Sequence, residues 1–355
     1  MRVAERVLLM TPSRGLGGGI ERYATTLEWA FASEGVEYRR VDLYGAGSSS
    51  GVFAWARLLA RSRGHIRESA ERTRIVVAHR TLLPLASLLA RERHVCGISL
   101  VCHGSDVWGT RPRVRRYAEK CLMRTSSVRV VAVSSFTAGV LSDVCGATVL
   151  PPGLSGDWFQ ELVAASTRTQ SPGMGIHLVT AFRLAQWRDK GLPQLLNAVA
   201  ATGRRDLRVT VCGSGEPPPE LHSLVRGHPQ CTLLPGLTDR DFARQLAAAD
   251  LFVLATRTRR GRHPSGEGFG LVLLEAQVAG TPVVAPAFGG SHDAYAEHLT
   301  GVAPIDETAG SLARVLNDLL QDPARLEQMG KQAAGWARER FAPERYPALA
   351  ASRLL

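Results

Sequence analysis

The chain reads as an α/β protein built from two doubly wound, parallel-sheet domains. Three observations predict this class. Short apolar strands alternate with helical stretches: Val7–Met10 precedes a glycine loop and a helix over Tyr23–Ser33, and the pattern resumes at His177–Thr180 and Leu192–Ala201. Continuous apolar strands linked through helices are the signature of parallel sheet covered on both faces. The 355 residues suffice for two domains of ordinary size, and 45% hydrophobic content suits a real core.

In chain order, strand Val7–Met10 enters the loop Thr11–Arg22, rich in glycine at Gly15, Gly17, Gly18 and Gly19. Its spacing is not the dinucleotide fingerprint, so it is either a close approach to a ligand's phosphate or a tight turn. Tyr38–Leu43 is a strand, Gly45–Gly51 a Gly/Ser loop, and Val52–Arg74 a basic helix or helix pair. Strands Ile75–His79, Ile98–Cys102 and Val128–Val133 follow, with a helix Leu82–Arg91 between the first two. Ser134-Ser135-Phe136-Thr137 is a helix cap. The small, polar stretch Glu161–Gly175 is the linker. Beyond it come strands at Arg208–Cys212, Thr232–Leu234 and Leu251–Leu254, a helix at Phe242–Ala249, and a last helix from Ala324 to Arg338. The expected domains are 1–165 and 166–338, with a tail over 339–355.

No apolar run approaches the roughly 20 residues that span a bilayer. The opening MRVAERVLLMTPSRG lacks a signal peptide's longer apolar core, so a cytoplasmic protein is expected, with peripheral membrane contact as an option. Six cysteines are scattered without C-x-x-C spacing and read as buried thiols. Net charge is +11, and residues 1–150 hold 22 Arg and Lys against 12 Asp and Glu, an excess of ten. This half therefore suits either an anionic partner or simple solubility.

The richest stretch is Ser265–Gly290. Gly266-Glu267-Gly268-Phe269-Gly270 leads into an apolar helix, Leu271–Val278, that carries Glu275, and then into Gly280-Thr281-Pro282, a short strand and the turn Gly289-Gly290. A glycine loop before a helix presents backbone N–H groups and the positive end of the helix to an anion. The backbone of Gly270 and Leu271 is the expected phosphate cap. Arg183 and Lys190, after the strand His177–Thr180, offer two cations.

This arrangement resembles the donor-site signature of the family 4 glycosyltransferases: an acid, a Gly-Phe-Gly turn, and a second acid eight positions after the first. Glu267 and Glu275 match it. Gly18-Gly19-Ile20-Glu21-Arg22 is similar to the family's Gly-Gly-x-Glu-Arg opening, and His103-Gly104-Ser105-Asp106 to its His-Gly-x-Asp segment. Leu150-Pro151-Pro152-Gly153 departs from the family, which carries Asn where Pro152 stands. The resemblance implies GT-B architecture, two facing Rossmann-like domains with an interdomain cleft, and retaining transfer of a sugar from a nucleoside diphosphate. UDP-sugar is the first expectation and GDP-mannose the second. It implies that Arg183 and Lys190 hold the diphosphate, that Glu275 accepts from the ribose hydroxyls, and that Glu267, His103 and Asp106 meet the transferred sugar. Gly18 and Gly19 join the phosphate contacts. The resemblance further implies that the leaving phosphate itself takes the acceptor's proton, and the sequence assigns no general base. No carboxylate metal motif is read from the sequence, so neither metal nor other cofactor is expected.

Arg257, Arg259, Arg260, Arg262 and His263 form a basic loop, either an anion contact or a surface loop. Two other functions remain open: an epimerase or hydrolase on the same fold, and a non-catalytic binder of anions or nucleic acid. The first finds few ionisable groups beyond Glu267 and His103. The second lacks stacking aromatics or any nucleic-acid reader motif, so no nucleic-acid partner is expected.

Overall fold

The computed structural model describes residues 5–15, 17–45, 52–68, 70–104, 113–166, 175–259 and 265–355, without the side chains of residues 5, 52 and 113–116. The chain divides into two compact units: residues 1–155 with 343–355, and residues 156–259 with 265–342.

In the first unit the elements run β1 (Glu5–Arg14), α1 (Gly19–Ser33), β2 (Tyr38–Gly45), α2 (Val52–Arg67), β3 (Arg72–Val77), α3 (Leu83–Leu89), β4 (Val95–Cys102), α4 (Arg113–Met123), β5 (Val128–Ala132), α5 (Ser135–Leu141) and β6 (Thr148–Val149). The six strands form one parallel sheet in the order β2-β1-β3-β4-β5-β6. The apolar runs explain it: Val7, Leu8, Leu9 and Met10 are all buried, as are Ile75, Val76 and Val77. Leu8, Met10, Ile75, Val77, Ile98 and Leu100 share one core cluster, so alternate residues of adjacent strands fill the same layer.

The basic stretch expected to be helical over 52–74 is instead a helix and a strand. Ala54, Leu58 and Ile66 give α2 its buried stripe. Arg72, Thr73 and Arg74 pair with Glu5, Arg6 and Val7 and extend β3. Ser134 caps α5, its Oγ accepting the Thr137 N–H at 3.1 Å.

The second unit runs α6 (Gly156–Ser166), β7 (Ile176–Ala181), α7 (Leu192–Ala201), β8 (Leu207–Gly213), α8 (Pro219–Arg226), β9 (Cys231–Pro235), α9 (Asp239–Ala247), β10 (Leu251–Val253), α10 (Leu271–Val278), β11 (Val283–Val284), β12 (Gly301–Val302), α11 (Ala309–Leu320) and α12 (Pro323–Arg340). Its parallel sheet has the order β12-β11-β10-β7-β8-β9. The linker expected from Glu161 is helical as far as Ser166, because Trp158, Phe159, Leu162 and Ala165 form a buried stripe on α6. Residues 167–174 lie outside the described residues.

The chain ends in α13 (Tyr346–Leu354), which packs on α1 in the first unit. The Ser99 hydroxyl donates to the Leu354 carbonyl at 2.5 Å. The Tyr346 ring lies against Gly153, where a Cβ would meet Cδ2 at 2.4 Å, so only glycine fits the end of Pro151-Pro152-Gly153. No helix among the described residues is long and apolar enough to cross a membrane.

Candidate active site

In open parallel sheets a ligand crevice forms at the carboxyl ends of the strands, where the strand order reverses. In the second unit β7 neighbours both β8 and β10, so the chain leaves the sheet in opposite directions after β7 and after β10. The loops that diverge there carry the charged residues singled out in the sequence.

After β7 comes Arg183, which opens a short 3₁₀ turn over Leu184–Gln186, and then Lys190. Gly191 sits in the left-handed region at φ 71°, and a Cβ on it would stand 1.9 Å from the Ala255 carbonyl oxygen. Glycine therefore lets this loop close onto the end of β10. The Arg257 N–H donates to the Asp189 carbonyl at 2.8 Å and fastens the same junction.

That junction brings Lys190 to Glu267. The ammonium donates to Oε2 at 2.8 Å, with the side chains 21% and 14% exposed. The hydroxyl of Thr256, a residue 2% exposed, donates to the same Oε2 at 3.0 Å. The backbone of Glu267 is held as well: its carbonyl accepts the Gly290 N–H at 2.8 Å. Gly289, at φ 117°, has no room for a Cβ, which would lie 2.6 Å from that carbonyl. Glu267 is thus fixed by two loops, and among the described residues both of its side-chain hydrogen bonds fall on one oxygen.

Gly270, at φ 81° and ψ 58°, is the N-cap of α10, and no side chain caps it. The backbone N–H groups of a helix's first turn have no intrahelical acceptor. Leu271 begins the helix, so the expected phosphate cap stands three residues from Glu267. α10 is buried almost all round. At its other end the Val278 carbonyl accepts two N–H bonds from Arg338, at 3.1 and 2.8 Å. Burial lowers the pKa of that guanidinium, and its placement suits the negative end of the helix dipole.

Glu275 stands further along α10. It is 3% exposed, and its Oε1 accepts the indole N–H of Trp158 at 2.9 Å. Asp189 pairs with Arg259 at 3.1 Å. The described part of the basic loop is anchored: the Thr258 N–H donates to Glu307 at 2.6 Å, and Ser265 Oγ donates to the Arg257 carbonyl at 2.7 Å. Arg260, Arg262 and His263 lie outside the described residues. Contrary to the expectation of no carboxylate motif, the sequence holds an Asp-x-Asp triplet, Asp239-Arg240-Asp241. It opens α9, where Asp241 accepts from Thr238 Oγ1 at 2.7 Å and from Arg244 at 3.1 Å, as the acid of a helix cap.

In the first unit His103 follows β4. Its Nε2 lies 3.0 Å from the Ala78 carbonyl, which can only accept, so this nitrogen carries the proton. The ring meets Tyr23 edge to face, with centroids 5.2 Å apart. Asp106 lies outside the described residues. Gly18, at φ 98°, is the N-cap of α1, and Gly19 is its first residue, with open space where a Cβ would stand. The neighbouring N–H groups of Gly15 and Gly17 both donate to the Glu21 carboxylate, that of Gly17 at 2.9 Å. The loop is therefore held in shape by its own acid.

Residues 173–336 match the family described as glycosyl transferases group 1. Over 270 residues the chain is 30% identical to the GDP-mannose-dependent α-(1-6)-phosphatidylinositol monomannoside mannosyltransferase of Mycolicibacterium smegmatis, covering 72% of this chain and 69% of the relative. The chain belongs to the group 1 glycosyl transferases. This glycosyltransferase is also 32% identical over 250 residues to the D-inositol 3-phosphate glycosyltransferase of Pseudarthrobacter chlorophenolicus, spanning 64% of its own length and 57% of the relative's. Sucrose-phosphate synthase from Thermosynechococcus elongatus superimposes with a TM-score of 0.78 at 17% identity, covering 98% of each chain. Anabaena HepE, solved with UDP-glucose, does so at 0.73 and 16%, over 98% of this chain and 99% of that one. At such identities the likeness concerns the fold, and that fold is GT-B.

Proposed function

We propose that this enzyme transfers a sugar from a nucleoside diphosphate to a hydroxyl of an anionic acceptor, with retention of configuration and without a metal ion. The observation that carries the reading is the Lys190–Glu267–Thr256 group beside the uncapped start of α10. A sugar nucleotide asks for cations and N–H groups at its diphosphate and for an acceptor at its sugar, and these stand together here. Lys190 and Arg183 hold the diphosphate with the backbone of Gly270 and Leu271, Glu267 meets the sugar, and Glu275 takes the ribose hydroxyls. His103, Asp106, Gly18 and Gly19 keep the sugar and phosphate roles that the family resemblance implies. In the transfer the acceptor oxygen bonds to the anomeric carbon as the bond to phosphate breaks, and the acceptor's proton passes to the departing phosphate. UDP-sugar and GDP-mannose stand together as donors, the second because a relative carries it in its name.

The acceptor reading joins two observations. Residues 1–150 carry an excess of ten positive charges, and both relatives are named for acceptors built on inositol phosphates. On α2, Arg63 and Arg67 engage Glu92, while Arg57 and Arg61 are exposed on the same helix as Phe53, which is 85% exposed. An anionic membrane surface would meet the same face. The test is a panel of UDP-, GDP-, ADP- and dTDP-sugars with inositol phosphate and neutral polyol acceptors, with and without EDTA. The anomeric configuration is read by NMR. Transfer in EDTA with the donor's configuration kept supports the proposal. An inverted product, or activity restored only by Mn²⁺, refutes the corresponding part.

A further inference from the structure

Trp158, on α6, is 6% exposed and donates its indole N–H to Glu275 Oε1 at 2.9 Å. Its ring stacks on Phe242 of α9, with centroids 6.2 Å apart and planes within 10°. Helices α6, α9 and α10 thus meet around one buried hydrogen bond.

We propose that Trp158 is a positioning residue for the donor's ribose, holding the Glu275 carboxylate where it meets the ribose hydroxyls. The inference rests on the ribose role of Glu275 proposed above. Three features of the contact fit that task better than plain packing. The indole is a donor with no acceptor, so it can hold a carboxylate but cannot take a ribose proton for itself. It is neutral, so it orients the carboxylate without adding a countercharge of its own, as an Arg or Lys at this position would. Glutamate also has several rotatable bonds, and an anchor from a neighbouring helix removes freedom that ribose binding would otherwise have to freeze. Phe242 keeps the indole in plane and so fixes where the N–H points.

The test compares ribose with deoxyribose. Affinities for UDP, GDP, dUDP and dGDP are measured by calorimetry on the whole protein and on Trp158→Phe, which deletes the N–H and keeps an aromatic ring. The ribo-to-deoxy ratio is about tenfold or more for the wild type if Glu275 takes the 2′-hydroxyl. It should fall at least threefold in Trp158→Phe, with dUDP and dGDP affinities little changed. The ratio does not depend on the fraction folded, so partial loss of stability leaves it readable. Phe242→Leu, which loosens the indole but keeps its N–H, should give an intermediate ratio and carries the test if Trp158→Phe does not fold. A wild-type ratio in the substituted protein would overturn the proposal and leave Trp158 a packing residue. A wild type that binds UDP or GDP but ignores the 2′-hydroxyl would instead overturn the ribose role of Glu275 itself, and the inference with it.

Discussion

Lys190 is the residue at which the structure and the proposed chemistry make the sharpest joint demand. Its ammonium has three N–H donors, and Glu267 takes one at 2.8 Å. Two remain for phosphate oxygens, so the internal ion pair and the donor contact do not exclude one another. A hydrogen bond to a charged partner contributes about 1.5–3 kcal/mol, so Lys190→Ala should weaken UDP or GDP binding roughly 10- to 150-fold. The same substitution leaves the Glu267 carboxylate to Thr256 among the described side chains and should lower the melting temperature by several degrees. Calorimetry with UDP or GDP, set against uridine or guanosine, separates the two effects. Loss of diphosphate binding with nucleoside binding intact identifies a phosphate contact. Lys190→Arg keeps the charge on a larger, planar group and should fall between. A folded Lys190→Ala protein that binds UDP and GDP as the wild type does would refute the phosphate role outright.

Four other outcomes follow from the same structure. Thr256→Val removes one of two donors to Glu267 Oε2 while nearly keeping volume, so turnover should drop about tenfold with nucleoside-diphosphate affinity unchanged, a split that steady-state kinetics reads. Burial pushes the thiol of Cys212 up to about 12 and that of Cys231 to about 11, whereas Cys121 is exposed, so iodoacetamide at pH 8 should label Cys121 first and the other two only on unfolding. Those thiols stay protonated in the folded chain while the unfolded chain ionises above about pH 9, so their contribution to stability declines as pH rises from there toward 12, visible in urea melts. Finally, Arg57→Glu with Arg61→Glu should raise the KM for an anionic acceptor at low salt and not for a neutral one, with the difference fading toward 1 M salt, where the Debye length is about 3 Å; equal KM values for the two acceptors would end the electrostatic reading.

The strands were legible because they are buried on both faces, and Val7–Met10 or Ile75–Val77 cannot be written any other way in such a sheet. The errors fall where local pattern gives no arbitration. Arg72-Thr73-Arg74 looks like more of the basic helix before it, and only the β1 backbone alongside makes it a strand. Residues 161–166 are small and polar enough to pass for a linker, yet Leu162 and Ala165 continue a stripe begun by Trp158 and Phe159. That stripe was present in the sequence and could have been found by carrying the helical period across the expected boundary.

The site divides along the same line. Glu267, Gly270 and Glu275 were readable because they lie on one short loop and helix, and Arg183 and Lys190 because charges cluster after a strand. Thr256 and Trp158 were not, since each matters through a partner that the strand order supplies. The order β10-β7 sets the Lys190 loop beside the end of β10, although the two are far apart in the chain. Gly191, pressed against Ala255, then closes the gap until Lys190 and Thr256 reach the same carboxylate oxygen. A glycine immediately before a leucine-rich helix is an ordinary sequence feature. In this sheet it is the condition for the charge pair, and a Gly191→Ala substitution should disturb Glu267 without touching it.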